Sequence, residues 1–250
     1  MPTLLRINVE EHPHQLEWKD SQVPFFCDGC KELGFGLCYQ CPNKGCNFIL
    51  HEECGIGRPP TFLPFFNRCN FEFHKKNTLG GTRVCDGCAL DIRGFLYQCS
   101  SRPNPHDLHP GCASLPSVFS LSDIDMEIYL REEISSKCLK CQSKKRSGKV
   151  QGWAYESSDG QFCYHVACMK EAWLQNWKKG YLQLNDIEES KKSLVLQNLA
   201  PKEVALRGKG QSSKSMKGVK WLIMFLKLVV SAIFGDPVSL IVNLFQISQM

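Results

Sequence analysis

Pairs of cysteine and histidine residues recur along this chain at metal-ligand spacing, and they leave few folds open to it. The first set begins with the Cys-Asp-Gly-Cys run at Cys27–Cys30 and closes with the His-Glu-Glu-Cys run at His51–Cys54. Two such pairs can share one tetrahedral zinc ion, and four protein ligands leave no position open for a substrate. Gly29, inside the first run, suits a turn that needs a positive φ. The predicted ligands are Cys27, Cys30, His51 and Cys54.

A second set of ligands is interleaved with the first. His12 and His14 stand two residues apart, which places both imidazoles on one face of an extended strand. Cys41 and Cys46 supply another pair of thiols. Together the four predict a second zinc site, so that alternate pairs share a metal within a cross-braced unit over residues 10–56, here called module one. The alternative is a solvated His-Pro-His surface strand that holds no metal.

The same pattern returns 58 residues further along the chain. The Cys-Asp-Gly-Cys run recurs at Cys85–Cys88. The Tyr-Gln-Cys run that ends at Cys41 recurs as a run that ends at Cys99. A fixed offset across several special residues is the signature of an internal repeat. It predicts a second unit over residues 64–115, here called module two, with one Cys₃His site. The predicted ligands are Cys85, Cys88, His109 and Cys112.

The second site of module two is degenerate. At the same offset Cys46 corresponds to Asn104, so one ligand is lost, and His12 corresponds to Asn70. His74 is a weaker candidate because it lies on the opposite strand face from Cys69. The alternative for Cys69 is a small buried residue. The candidate ligands for this second site are Cys69, Cys99 and His106.

A third, more divergent copy is expected over residues 125–178, here called module three. It keeps one complete ligand set, and no His-x-His element precedes it. Packing of Trp153, Tyr155 and Phe162 is expected to hold its other lobe. The basic loop from Ser143 to Gly152 is interpreted as a solvated insertion, with contact to an acidic partner or to phosphates as the alternative. The predicted ligands are Cys138, Cys141, His165 and Cys168.

Helical segments are expected after the third ligand set. An amphipathic helix is predicted over residues 166–177, and a weak helix with a basic linker over residues 179–220. Residues 221–250 form an apolar tail, broken by the Gly-Asp-Pro run at Gly235–Pro237. Its first segment makes a helix of about 21 Å, whereas a bilayer core is roughly 30 Å thick. A hairpin of two short helices is therefore expected, docked on protein or lying in a membrane interface beside the basic linker.

Composition narrows the cellular setting. The chain has 15 cysteines in 250 residues, and no apolar signal-peptide core follows its first residues. We therefore expect an intracellular protein of the cytoplasm or nucleus that is not secreted, with membrane association as the alternative. Its thiols are expected to hold metal rather than form disulfides. The formal net charge is +5. Each Cys₃His zinc site contributes about −1, so the overall charge is poor evidence for nucleic-acid binding.

Structural metal accounts for these ligands without catalysis. A structural zinc supplies about 10–16 kcal/mol in small peptides, and modules of roughly 50 residues bury too little core to fold comfortably alone. Each Cys-x-x-Cys pair has a His-x-x-Cys pair downstream, and neither a catalytic triad nor a phosphate loop is evident. A cross-braced ubiquitin-ligase domain is an enzymatic alternative, but its ligand order does not fit. We expect that the chain is not an enzyme and takes no small-molecule substrate. We expect its partners to be proteins.

The full arrangement resembles the plant DC1 family, divergent relatives of the phorbol-ester and diacylglycerol-type cysteine-rich domain. Module one resembles it through all eight of its ligands, module two through six residues that include Tyr97 and Cys99, and module three through four ligands. The tail is similar to the C-termini of three-module plant proteins of this type. The resemblance implies small antiparallel β-sheets with a short helix each, two zincs per full module, and binding roles in signalling, hormone and stress responses.

The resemblance also raises lipid binding as an alternative. The Pro-Phe-Phe-Cys run at Pro24–Cys27 is similar to the Pro-Thr-Phe-Cys run of diacylglycerol binders. However, the loop from Lys31 to Gln40 is shorter than the lipid-inserting loop of those proteins, and Leu37 stands near the place of their bracing glutamine. The fold expected is thus a tandem of small zinc-stabilised α+β modules followed by a helical tail. We expect three to five zinc ions and a non-catalytic interaction or regulatory role, with membrane contact through residues 201–250 as the alternative.

Overall fold

A computed structural model of the chain describes residues 5–58, 63, 65–66, 69–76, 81–99, 105–121, 126–146, 150–179 and 213–234. The chain divides into two compact units. The first covers Met1–Leu115 together with Phe234–Asp236, and the second covers Pro116–Ile233 together with Pro237–Met250. The described residues form small antiparallel sheets with short helices, as the sequence predicted. The module boundaries given above stay predictions.

A four-stranded antiparallel sheet forms the start of the first unit. The elements are β1 (Arg6–Val9), β2 (His12–Phe26), β3 (Leu33–Gln40), β4 (Ile49–His51) and the short helix α1 (Glu52–Ile56). The strands pair in the order β1-β2-β3-β4, and a β-bulge interrupts β2 between Ser21 and Phe25. Leu16, Tyr39 and Leu50, from three of these strands, are fully buried in the core.

Module two divides its strands between two small sheets. The elements are β5 (Glu72–His74), β6 (Arg83–Val84), β7 (Asp91–Ile92), β8 (Leu96–Cys99), β9 (His106–Leu108) and α2 (Pro110–Ala113). One sheet has the order β5-β8-β9, and the other pairs β6 with β7.

Strand pairing corrects one correspondence between the two copies. Glu17 pairs with Gln40 in module one, and Glu72 pairs with Gln98 in module two. The strands that carry Gln40 and Gln98 are thus offset by 58 residues, but the strands that carry Glu17 and Glu72 are offset by only 55. The offset of 58 therefore does not hold before the Cys-x-x-Cys turn, called the knuckle below. Module two has three more residues between its first strand and Cys85 than module one has before Cys27. By this register Cys69 takes the position of His14.

The second unit contains another four-stranded sheet. Its elements are β10 (Val118–Leu121), β11 (Met126–Arg131), β12 (Ala154–Ser157), β13 (Cys163–His165), α3 (Val166–Lys178) and α4 (Ser213–Phe234). The strands pair in the order β10-β11-β12-β13. Trp153 and Tyr155 are buried in the core of this unit, as expected, together with Tyr164, whereas Phe162 is only partly buried.

The C-terminal helix begins earlier than the sequence predicted. Helix α4 runs from Ser213 to Phe234, so residues 213–220 are helical rather than part of a linker. Phe225 is fully buried, and its ring centroid lies 5.7 Å from that of Phe162. No helix in the described part of the chain is long and apolar enough to cross a membrane. The second arm of the predicted hairpin, and the weak helix expected before the linker, lie outside the described residues.

Candidate metal centres

Among the residues that the structure describes, sixteen cysteine and histidine side chains lie in four groups of four. Within each group the ligand atoms lie within 4.8 Å of one another. Each group joins residues that are distant in sequence, as the alternating pairs predicted. The groups are His12, His14, Cys41 and Cys46; Cys27, Cys30, His51 and Cys54; Cys85, Cys88, His109 and Cys112; and Cys138, Cys141, His165 and Cys168.

Three of these groups are built on the same knuckle. In module one the amide of Cys27 donates to the carbonyl of Glu32 at 3.0 Å, and the amide of Lys31 donates back to Cys27 at 2.9 Å. Lys31 has a φ of 63°, in the left-handed region that non-glycine residues seldom adopt. Ala89 and Gln142, each following the second cysteine of its pair, have the same conformation with a φ of 56°. The turn thus orients both thiols of each pair toward one point.

The positive φ falls on Lys31 and not on Gly29, which corrects the role expected for that glycine. A Cβ at Gly29 would lie 2.5 Å from Cδ2 of Phe95 and 3.1 Å from Cδ2 of Leu50. Real Cβ atoms essentially never come as close as 2.5 Å to another heavy atom, and 3.1 Å is already a tight contact. Gly29 is therefore required by a close approach of side chains over the knuckle, not by its own backbone conformation.

The second pair of each group sits where a strand passes into a helix. His51, His109 and His165 each stand directly before the first residue of a helix. The cysteine three positions later lies in the first turn of that helix, so that its thiol returns toward the histidine. The amide of His51 also donates to Sγ of Cys27 at 3.4 Å, and the corresponding contact of His109 with Cys85 measures 3.3 Å.

The distances fit tetrahedral zinc. With Zn–S about 2.3 Å and Zn–N about 2.0–2.1 Å, neighbouring ligand atoms lie about 3.3–3.8 Å apart. Nδ1 of His51 lies 3.2 Å from Sγ of Cys30 and 3.9 Å from Sγ of Cys54. Nδ1 of His109 lies 3.3 Å from Sγ of Cys88, and Nδ1 of His165 lies 3.4 Å from Sγ of Cys141. Bound zinc would organise these donors as a closed structural site.

The His-x-His group of module one has similar spacing but more contact with solvent. Nδ1 of His14 lies 3.7 Å from Sγ of Cys41, and Nε2 of His12 lies 3.5 Å from Sγ of Cys46. The two imidazole nitrogens are 3.2 Å apart. Phe48 stacks on the ring of His12 with the centroids 4.4 Å apart and the planes at 9°. This stacking fixes one imidazole, although His14 itself is exposed.

The pKa shifts of the buried thiols around Cys27 in module one favour a bound cation. Burial opposes ionisation of Cys27, but hydrogen bonds with Cys30, Cys54 and His51 outweigh it and lower its pKa. Burial raises the pKa of Cys54, and its neighbours Cys27 and Cys30 raise it further. Without a metal, the group therefore favours ionisation at Cys27 and opposes it at Cys54. A divalent cation at the centre would allow all three thiols to bind as thiolates.

Two buried thiols outside the groups behave differently. Burial raises the pKa of Cys38 to about 11 and also raises that of Cys163. Cys38 has Leu96 at its repeat position, which predicts a buried thiol rather than a ligand. Both residues lie outside the four groups, and both are neutral near pH 7.

Arg146 supports the group of module three, a role that the sequence did not indicate. Its Nη1 donates to Sγ of Cys168 at 3.4 Å, and its guanidinium binds Glu171 through two contacts of 3.2 and 2.9 Å. At Arg146, the basic loop is therefore not only a solvated insertion. Its positive charge offsets thiolate charge at the site.

The second site predicted for module two receives no support from the described residues. No group of three or more ligands forms around Cys69, Cys99 and His106 in that part of the chain. Nδ1 of His106 lies 3.4 Å from Oδ2 of Asp86, and its ring centroid is 4.7 Å from that of Phe66. Nε2 of His74 lies 3.9 Å from Oε2 of Glu72. A second zinc here stays a prediction.

The family comparison agrees with this geometry in module one. Residues 10–55 match the C1 domain family. The matched C1 domain contains both ligand groups of module one, from His12 to Cys54. The predicted resemblance is thereby confirmed at the level of a C1 domain over these residues. The comparisons with curated proteins and with solved structures gave no match.

Proposed function

We propose that this chain is a zinc-binding protein of tandem C1-type modules, of the DC1 kind, that acts as a non-catalytic interaction or regulatory protein. The observation that carries the proposal is the set of four closed groups, each with four Cys or His ligands. A group of four protein ligands fills a tetrahedral zinc ion, so no position is left for a reacting water or substrate. Such ions stabilise small folds, and the surfaces of those folds are then available to bind partners.

The likeness among the three knuckles supports extending the C1-type interpretation beyond the matched residues. The hydrogen bond from Cys27 to Glu32 recurs from Cys85 to Leu90 and from Cys138 to Ser143, at 3.0, 2.9 and 3.0 Å. The role in intracellular signalling or stress response rests on the DC1 resemblance.

Native mass spectrometry of the full chain tests the proposal. We expect four zinc ions, one for each group, and their removal by EDTA should unfold module one because its core is small. Circular dichroism before and after chelation measures that loss. A chain that binds no zinc, or one that turns over a substrate only with its metal in place, would contradict a structural role for the ions.

A lipid surface is the second candidate partner, and exposed apolar residues of the C1 domain favour it. Val23 and Phe26 lie beside the bulge of β2, and Leu37 lies on the paired strand. Their exposed fractions are 44, 45 and 41%. Flotation with vesicles of phosphatidylserine and diacylglycerol tests this. Loss of binding in Phe26→Asp, with retention in the control Val118→Asp from strand β10 of the second unit, would support insertion by the C1 domain.

A chain ending at Ala200 separates binding by the modules from binding by the tail. If the shortened chain floats as well as the full chain, the modules carry the contact. The buried Phe225 beside Phe162 favours docking of α4 on protein over insertion in a membrane. Flotation of neither chain would remove the lipid candidate.

A further inference from the structure

The knuckle of module one is in direct contact with module two. The amide of Phe95 donates to the carbonyl of Gly29 at 3.0 Å. A Cβ at Gly94 would lie 2.0 Å from that same carbonyl oxygen, a distance that no real side chain tolerates. Phe95 is 5% exposed and packs within the core of module one. One module thus completes the apolar core of the other.

Other contacts continue this junction. The hydroxyl of Tyr97 donates to the carbonyl of Arg58. A Cβ at Gly57 would lie 2.7 Å from the ring of Phe73. These contacts join the helix end of module one to the strands of module two, so the two ligand-bearing regions share a packed boundary.

A ligand of module two reaches across the same boundary. His109 is fully buried and presents Nδ1 to Cys88 at 3.3 Å, on the side where a metal would bind. Its other nitrogen, Nε2, faces the carbonyl of Asp91 at 3.2 Å and Oε1 of Glu32 at 3.6 Å. Because Nδ1 must be unprotonated to bind zinc, the zinc-bound ring carries its proton on Nε2 and donates it to the carbonyl of Asp91, while the carboxylate of Glu32 at 3.6 Å places a negative charge beside the same nitrogen. Groups of this kind orient a ligating histidine and raise its basicity.

Glu32 belongs to the knuckle of module one. Its carbonyl accepts the hydrogen bond from Cys27 that closes the turn. The position of its carboxylate therefore depends on the knuckle, which bound metal would stabilise. In module three, by contrast, the buried Nε2 of His165 has no hydrogen-bond partner among the described residues.

We propose that Glu32 of module one is a positioning residue for His109 of module two, so that the second module holds its metal more tightly when the first is folded around its own ion. The inference rests on the proposed zinc-binding function and deepens it. Modules one and two therefore bind their zinc ions as a coupled pair, whereas module three binds its ion without such a contact.

The test uses the full chain loaded with zinc and counts the ions retained, by native mass spectrometry, as EDTA is raised. Glu32→Gln keeps the size of the side chain and removes its charge. We expect one ion to leave at a chelator concentration about tenfold to a hundredfold lower, the usual effect of losing a group that supports a ligating histidine. The ring nitrogen signals of His109, followed by NMR, should change at that same concentration and assign the ion to module two.

Glu10→Gln is the matched control. Glu10 also faces module two, through Lys75 at 3.6 Å, but its side chain is 89% exposed and its ion-pair partner is not a metal ligand. Its release profile should equal that of the wild type. A wild-type profile for Glu32→Gln as well would overturn the proposal.

Removing a ligand from one site at a time tests the coupling. Cys27→Ser should weaken zinc retention at His109, and Cys138→Ser should leave it unchanged. Equal effects of the two substitutions on the His109 signals would overturn the coupling. A wild-type chain that binds no zinc would instead contradict the proposed function, so the two failures are distinguishable.

Discussion

At the scale of single residues, a buried ion pair in module two replaces an apolar pair in module one. Arg83 contacts Asp107, and Gln98 donates to the other carboxylate oxygen at 2.8 Å. The side chains of Arg83 and Asp107 are only 11 and 10% exposed. The same register positions in module one hold Phe25 and Ile49. The carboxylate of Asp107 is therefore held inside module two by the guanidinium of Arg83 and the amide of Gln98.

Arg83→Ala should destabilise the first unit strongly. Removing one partner of a buried ion pair leaves an uncompensated charge, at a cost of about 3–5 kcal/mol. Urea unfolding of the zinc-loaded chain measures the change. Arg6→Ala is the control, because the pair of Arg6 with Glu17 lies at the surface, with the arginine side chain 62% exposed. There we expect less than about 1 kcal/mol. Equal costs for the two variants would contradict the burial argument.

At the scale of elements, a carboxylate of β12 holds the segment that leads into the third knuckle. Glu156 is 7% exposed. Its Oε1 accepts hydrogen bonds from the amide and hydroxyl of Ser135, at 3.1 and 2.8 Å, and from those of Ser136, both at 2.9 Å. Burial alone would raise the pKa of Glu156, but these bonds outweigh it and lower the pKa below its ordinary 4.5. The strand and the loop are therefore joined most firmly when Glu156 is ionised.

Stability should accordingly depend on pH through Glu156. A lowered pKa in the folded state contributes stability above the ordinary pKa of 4.5, and this contribution is lost as pH falls through the folded value. A carbon NMR titration of the Glu156 carboxyl should give a pKa below 4.5. Ser136→Ala should raise that pKa, and Ser158→Ala, on the neighbouring turn, should not. A pKa at or above the ordinary value would refute the account.

At the scale of the whole molecule, the four groups differ in their exposure to solvent. Cys85, Cys88, His109 and Cys112 are all buried. Cys141 in module three is exposed, and so is His14 in the second group of module one. A chelator or an alkylating reagent reaches an exposed ligand without waiting for the fold to open. The chain thus combines protected and accessible metal groups.

The order of zinc loss should follow this exposure. When the fully loaded chain meets a chelator, the ions of the Cys141 and His14 groups should leave before the ion of module two. Mass spectrometry with iodoacetamide labelling measures the order, and we expect Cys141 and Cys46 to be modified before Cys88. The buried non-ligand Cys38 serves as an internal control that should stay unmodified while the fold persists. Earlier labelling of Cys88 would contradict the prediction.

The amino-acid sequence by itself determined the ligand pairs and much of the local architecture. Their spacing is short and their chemistry specific, so Cys27, Cys30, His51 and Cys54 could be assigned to one group without coordinates. The helix over Val166–Lys178 followed from its apolar period. The same local patterns could not reveal a change of strand register, and so the correspondence of His12 with Asn70 was wrong.

Only the tertiary structure decided which distant groups surround the ligands. The sequence assigned Gly29 to its own turn, yet Phe95, from the next module, is what requires it. The basic loop was interpreted as a solvated insertion, with contact to an acidic partner or to phosphates as the alternative, and its Arg146 binds Cys168. Glu32 lies near His109, although 76 residues separate them in the sequence, because the two modules pack together. Such contacts depend on how separate elements pack, and spacing along one chain segment carries no record of that.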